Sequence, residues 1–274
     1  MSKTIVITGA SDGIGAAAAT ALKALGHEVI VVGRDATKTA NFAASIAAPF
    51  EIADFSSLDE VRKLADSLLD KYEKIDVLAN NAGAMFGKFQ RTVDGFERTF
   101  QVNHLAPFLL THLLQARLIQ DAGTVINTSS MTAKMWGHLD ISDLNNEVNY
   151  DEKRAYGTSK LCNILFTKEL HRRFHGVGIN AVSFHPGVVA TNFASDPESS
   201  FHKIYHDSEN STLPMITPEA GADQLIWLAT TNPGSEWEAG KYYELRKLSE
   251  SHEQANDSEL ALKLWERTTQ LLKI

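Results

Sequence analysis

The stretch TIVITGASDGIGAAAATAL, residues 4–22, decides the fold. A short β-branched run from Thr4 to Thr8 passes through Gly9, Gly13 and Gly15 into an alanine-rich helical pattern. The first run shows no polar alternation, which is how a strand buried on both faces reads. Glycines at such a junction do separate work. One permits the sharp turn, one lets backbone amides approach a pyrophosphate, and one lets the helix pack against the strand. The helix N-terminus beyond them offers partial positive charge to a phosphate. Ser11, Asp12 and Ile14 fill the turn and belong to the same candidate dinucleotide site. A P-loop is excluded because no Gly-Lys-Ser/Thr follows.

Outward from this turn, short apolar runs alternate with helical patterns. Strands are expected at 28–33, 50–53, 75–80, 124–129, 179–184 and 241–245, and helices near 14–25, 36–47, 57–71, 94–119, 152–175, 217–231 and 258–272. Ser57 stands three residues before Glu60 as a capping box, and Thr217 precedes Pro218 as an N-cap. The alternation predicts an α/β protein: one doubly wound Rossmann-type domain over 1–274, with a central parallel sheet of about seven strands flanked by helices. Residues 131–152 and 190–216 break the rhythm after strands. Ligands of such sheets bind outside the carboxyl ends of strands, so these are the expected substrate loops. Residues 247–258 read as a polar surface loop.

Bulk properties narrow the function. The chain has 274 residues and a formal net charge of −8, which argues against nucleic acid as partner. The basic cluster HRRFH, residues 171–175, suits a helix C-terminus. A single cysteine, Cys162, forbids an internal disulfide and suits a reducing compartment. The opening MSKTIVITG enters a strand at once, and no apolar run is long enough to span a bilayer. The expectation is a cytoplasmic protein without a membrane anchor, acting on a small molecule.

The second strand ends at Gly33 and Arg34. An acidic residue there selects NAD, whereas an arginine accommodates the 2′-phosphate of NADP and can fork onto it. NADP(H) is favoured. NAD(H) stays open through Asp12, which suits a 2′-phosphate only if turned away, and through Asp35, whose alternative is an N-cap.

Further motifs follow in chain order: NNAG at Asn80, Asn81, Ala82 and Gly83; Asn103 inside an apolar helix; TSS at Thr128, Ser129 and Ser130; and AYGTSKLCNILF, residues 155–166, with Tyr156 four residues before Lys160 and so on one helical face. With the TGxxxGxG spacing of the glycine turn, they make the chain resemble the classical short-chain dehydrogenase/reductase family over nearly its whole length. The resemblance implies a fold and a site. Asp54, followed by Phe55 at the end of strand three, would bond the adenine amino group, its alternative being a cap for the next helix. The NNAG backbone would run along the adenosine ribose. Asn103 would hold a water in a proton relay. Alignment selects Ser130 over Ser129 as the serine that bonds the substrate oxygen, with Thr128 beside the cofactor. Past HPG, Pro186, Gly187 and Val189 would meet the nicotinamide carboxamide, and Thr191 the pyrophosphate.

A free tyrosine has a pKa near 10 and is a poor base at neutral pH. A nearby ammonium favours the phenolate, so Lys160 is expected to lower the value for Tyr156 while also binding the ribose. Tyr156 then exchanges a proton with the substrate oxygen as hydride moves. The expected activity is NADP(H)-dependent interconversion of a carbonyl and an alcohol; the rival reading is a nucleotide-binding sensor without turnover.

The stretch RTVDGFERTFQVNHLAPFLLTHLL, the insert before the tyrosine helix and the ending LWERTTQLL resemble the retinol dehydrogenase-like branch. Met131, Met135, Trp136, Phe193, Phe201, Ile204, Tyr205, Leu213, Met215 and Ile216 in the two loops suggest a lipophilic pocket, unless they only pack on their own domain. Family members are usually homodimers or homotetramers, and the sequence decides neither. Cys162, His104 and His185 read as structural. His202 and His206 make half a metal site with no motif to complete it, so no metal is expected.

Overall fold

The computed structural model describes residues 2–206 and 214–274. Eight strands form one sheet in the order β3-β2-β1-β4-β5-β6-β7-β8. They are β1 (Thr4–Thr8), β2 (Glu28–Gly33), β3 (Phe50–Ile52), β4 (Val77–Asn80), β5 (Thr124–Thr128), β6 (Asn180–His185), β7 (Tyr242–Glu244) and β8 (Lys247–Leu248). All pair in parallel except β8, which folds back antiparallel on β7. In β1, Ile5 stands beside Val29 of β2 and Val77 of β4. The chain runs outward through β2 and β3, then returns across β1 to β4, so the winding reverses there. That reversal opens a crevice at the carboxyl ends of β1 and β4.

The helices that matter are α1 (Gly13–Ala24), α2 (Ala36–Ser45), α3 (Leu58–Lys71), the helical run α4 over 98–120, α5 (Glu152–Phe174), α6 (Pro218–Thr230) and α7 (Ser258–Leu272). The sheet has a core on each face. Val6 and Val125 join Leu64 of α3, Phe108 of α4, Leu165 of α5 and Trp265 of α7, whereas Ile5, Ile7 and Ile126 join Leu22 of α1 and Leu225 of α6. Successive strand residues therefore alternate between two apolar layers, which is why the sequence shows no polar alternation.

Three expectations change. The helix expected at 94–119 begins at Arg98, because residues 91–97 make a tight turn with Gly95 at φ +86°. The buried Glu97 carboxylate then caps the helix, accepting from the amides of Thr99 (2.7 Å) and Phe100 (2.8 Å). The run is also not uniform: Gln101–Leu105 is one π-helical turn, an insertion that clusters at functional sites. In the capping box, Ser57 Oγ accepts from the Glu60 amide (3.4 Å) as expected, but the Glu60 carboxylate reaches past Ser57 to the Asp54 amide (2.7 Å).

The stretch 247–258 holds β8 and a short 3₁₀ turn at Glu253–Asn256. Its hairpin places Leu245 (φ 50°) and Arg246 (φ 58°) in the left-handed region, which Asn and Gly tolerate and Leu does not. Leu245 is 80% exposed, so little burial is lost on replacing it. Leu245→Asn is expected to stabilise the fold by about 1 kcal/mol, read as a higher urea midpoint at unchanged slope.

Candidate active site

A cleft of about 980 Å³ opens at the carboxyl ends of the strands. At its dinucleotide end stand Gly9, Ser11, Asp12, Gly13, Ile14 and Gly15 from the turn, Arg34 from the end of β2, and Asp54 and Phe55 after β3. The turn is tight: Gly9 has φ +66°, and a Cβ there would lie 2.8 Å from Ala82 Cα. Asn81 fastens it, its Nδ2 donating to Thr8 O (3.0 Å). This cradle fits a pyrophosphate, because backbone can approach where no side chain stands.

Asp35 takes the capping role, its Oδ1 accepting the Lys38 amide (2.8 Å). Asp12 is engaged as well. Its Oδ1 accepts the Gly13 amide (2.7 Å), and its Oδ2 accepts from Asn192 Nδ2 (2.6 Å) and from the Lys38 ammonium. Partial burial pushes the Asp12 carboxyl up, but Asn192, Lys38 and the Gly13 amide together hold it below its usual range. Lys38 itself lines the cleft beside Arg34. Sequence reasoning stopped at Arg34; a basic residue one helical turn into α2 was the available signal. Asp54 Oδ1 accepts the Ser56 amide (2.8 Å) while the residue still faces the cleft.

Asn80 is not among the cleft-lining residues. It is buried, and its Nδ2 donates to Thr111 Oγ1 (3.0 Å) and Asn127 Oδ1 (2.9 Å), tying β4 to α4 and β5. Ala82 and Gly83 do line the cleft. Asn103 sits behind the wall, fully buried. Its Oδ1 accepts the Ala84 amide (2.9 Å), and its Nδ2 donates to Ala84 O (2.9 Å) and Ser159 Oγ (3.1 Å). A Cβ on Gly83 would stand 3.0 Å from both Asn103 Oδ1 and Lys160 Nζ, so these two groups flank one point of the wall.

At the other end Thr128, Ser130, Tyr156 and Lys160 meet. The two serines part: Ser129 Oγ turns to α5 and donates to Lys160 O (2.8 Å), whereas Ser130 lines the cleft with Tyr156, its Oγ accepting the Thr132 amide (3.2 Å). Lys160 Nζ donates to Thr128 O (3.2 Å) and lies 5.6 Å from the centre of the Tyr156 ring. Electrostatics here differ from the sequence expectation. Burial pushes the Tyr156 phenol well above its ordinary value, with Tyr205 and Tyr242 adding to the rise and only the Ser130 side chain opposing it. Burial also lowers the Lys160 ammonium to about 8. Low surrounding polarity favours the neutral form of each.

Pro186, Gly187, Val189 and Thr191 line the cleft after β6, and the Thr191 methyl lies over Gly13. His185, expected to be structural, also faces the cleft. Of the loop residues, Met131, Met135, Trp136, Phe193, Phe201, Ile204 and Tyr205 line it; Met215 and Ile216 do not, and Leu213 lies outside the described residues. Phe193 bridges Tyr156 and Tyr205 with ring centroids 5.0 and 5.6 Å apart. Met85, Phe86 and Val102 complete the apolar wall, a contribution from before and within α4 that loop composition did not reveal. Cys162 is buried with its thiol pushed up, away from the cleft lining. No group of three metal-ligating side chains occurs among the described residues, and the His206 side chain lies outside them.

A doubly wound sheet with a glycine cradle at one end of its crevice and a Ser-Tyr-Lys group at the other defines a dinucleotide-dependent oxidoreductase acting on carbonyl or alcohol groups. The chain belongs to the short chain dehydrogenase family, whose model matches residues 3–200. It is 43% identical over 272 residues to the provisionally named daunorubicin C-13 ketoreductase DnrU of Streptomyces sp. (strain C5), covering 96% of this chain and 90% of that protein. It is 36% identical over 287 residues to retinol dehydrogenase 13 of Homo sapiens, covering 98% and 84%. A solved structure of an uncharacterised Mycobacterium paratuberculosis protein superposes with a TM-score of 0.78 at 32% identity, covering 99% of this chain and 93% of that one. No helix among the described residues is long and apolar enough to cross a membrane.

Proposed function

We propose that the protein reduces a bulky lipophilic aldehyde or ketone with NADPH, and oxidises the corresponding alcohol in reverse. The observation that carries this reading is the meeting of Ser130, Tyr156 and Lys160 at an apolar, aromatic-walled end of the cleft whose other end is a glycine cradle with Arg34 and Lys38 in its lining. Arg34 supports the 2′-phosphate assignment, and Lys38, with Asp12 already paired, adds to it. Phe193, Tyr205 and Trp136 suit a flat ring system, and the name of the Streptomyces relative, a daunorubicin C-13 ketoreductase, is in keeping with a ketone as substrate.

The nicotinamide, when bound, supplies hydride to the carbonyl carbon. The chain does the rest. Ser130 Oγ orients the carbonyl oxygen beside the phenol. Tyr156, kept protonated by burial, gives that oxygen its proton. The Lys160 ammonium steadies the phenolate left behind until solvent reprotonates it. Asn103 holds the Ala84 peptide and so the wall opposite Lys160.

The sign of the pH dependence follows. Reduction needs the phenol protonated and Lys160 charged, and both forms persist below their pKa values. The reductive kcat/KM is expected to hold through neutrality and to fall as pH rises through about 8. A profile that instead fell only toward acid would contradict these roles. A panel of ketones, aldehydes and alcohols followed by nicotinamide absorbance tests the reading; NADPH binding without turnover on any of them would favour the sensor.

A further inference from the structure

Lys160 has a buried polar chain behind it that reaches the C-terminal helix. Thr128 O accepts from Lys160 Nζ (3.2 Å) and also from Asn163 Nδ2 (3.3 Å), one turn further along α5. Asn163 Oδ1 lies 3.3 Å from His104 Nδ1, and His104 Nε2 lies 3.4 Å from Thr268 Oγ1 of α7. None of the four side chains is more than 4% exposed.

Hydrogen-bond logic fixes every direction in this chain. Asn163 spends its NH₂ on a carbonyl, so its oxygen faces His104 and can only accept. His104 Nδ1 therefore carries the proton, and Nε2 accepts from the Thr268 hydroxyl. Burial holds the His104 imidazole neutral, at about 4, as this pattern requires. A simple space-filler would need none of it: His104 stacks on Phe100 with centroids 5.5 Å apart, and a phenylalanine would do that without two polar atoms to satisfy.

We propose that His104 and Asn163 are positioning residues for Lys160. By fixing which end of the Asn163 amide faces Thr128 O, His104 presents a donor there rather than an acceptor. A donor occupies the inner lone pair of the carbonyl and leaves the Lys160 ammonium only the lone pair nearer the cleft. An acceptor would draw the ammonium inward, away from Tyr156. Thr268 locks the imidazole tautomer that keeps the amide in place. The inference rests on the role given to Lys160 above.

The titratable groups around the pair are Tyr205 from the loop after β6 and Tyr242 of β7, both acting on Tyr156, with His185 of β6 in the same cleft and His104 of α4 behind. Only burial shifts Lys160, and no carboxylate acts on either residue. An ammonium that retreats inward is further desolvated, so its pKa falls.

The test is the alkaline limb of carbonyl reduction by NADPH in the full chain. His104→Phe and Asn163→Leu are each expected to move the limb to lower pH by about one unit, a roughly tenfold loss on the limb, with NADPH affinity changed less than kcat. The double variant should be no worse than Asn163→Leu alone. Thr268→Val, nearly isosteric and far from the cleft, should move the limb the same way by less, and it serves if the core variants fold poorly. A rate lowered evenly at all pH values, with the limb in place in Thr268→Val and in either core variant, overturns the inference alone. A wild-type protein that turns over no carbonyl overturns the functional reading and this inference together.

Discussion

Tyr156→Phe is expected to lower carbonyl reduction by about a thousandfold while leaving NADPH binding within a few-fold of wild type. The magnitude is that of losing a positioned general acid. The specificity comes from the structure: phenylalanine keeps the ring against Phe193 and beside Lys160 and removes only the hydroxyl. The ring is almost fully buried, so the substitution also removes a polar atom without opening a cavity, and unfolding temperature should change little. Single-turnover decay of NADPH absorbance separates the chemical step from binding. Full activity in the variant would remove Tyr156 from the mechanism.

The second large effect is on the choice of cofactor. Arg34→Asp is expected to weaken NADPH by about a hundredfold and NADH by much less. A forked, charge-assisted contact to phosphate contributes about 3 kcal/mol, which is roughly that factor in affinity. Lys38→Ala should cost NADPH less, because Lys38 stands in an ion pair with Asp12 and must exchange it for the phosphate. Freed from Lys38, Asp12 would still be held by Asn192 and the Gly13 amide, so the glycine turn should keep its shape. Equilibrium titration of both nucleotides against both variants checks this. Equal losses for NADPH and NADH would mean that neither residue reads the 2′-phosphate.

Much of the fold was legible because β1, β2, β4 and β5 are buried on both faces, and such strands read as unbroken apolar runs whatever packs on them. What escaped was set by tertiary contacts. The π turn at Gln101–Leu105 leaves the apolar pattern of α4 unchanged, so nothing in the residues announces it. The β7–β8 hairpin turns on Leu245 and Arg246, which carry no turn signal; Arg246 is held instead by Asp223 and Gln224 of α6. The family resemblance selected Ser130, and alternation added only that Ser129 would face the other side, where its Oγ meets Lys160 O. The NNAG motif implied a backbone beside the ribose and said nothing of the Asn80 side chain, which joins β4 to β5. The expected lowering of Tyr156 failed because the pull of an ammonium could be inferred from spacing, whereas the depth of burial could not. His104 read only as structural and Asn163 carried no signal, and it is α4, α5 and α7 that bring them together.

The central claim is that Ser130, Tyr156 and Lys160 move a proton to a carbonyl oxygen within an NADPH-dependent site. Its most direct test is a rapid-mixing experiment in which wild-type protein loaded with NADPH meets a panel of bulky aromatic and aliphatic ketones and aldehydes. The expected result is loss of reduced-nicotinamide absorbance in one exponential phase, faster with ring-bearing carbonyls, slowed in heavy water and slowed about a thousandfold in Tyr156→Phe. NADPH that binds tightly and is consumed with none of the carbonyls, or is consumed equally fast without the Tyr156 hydroxyl, would contradict it.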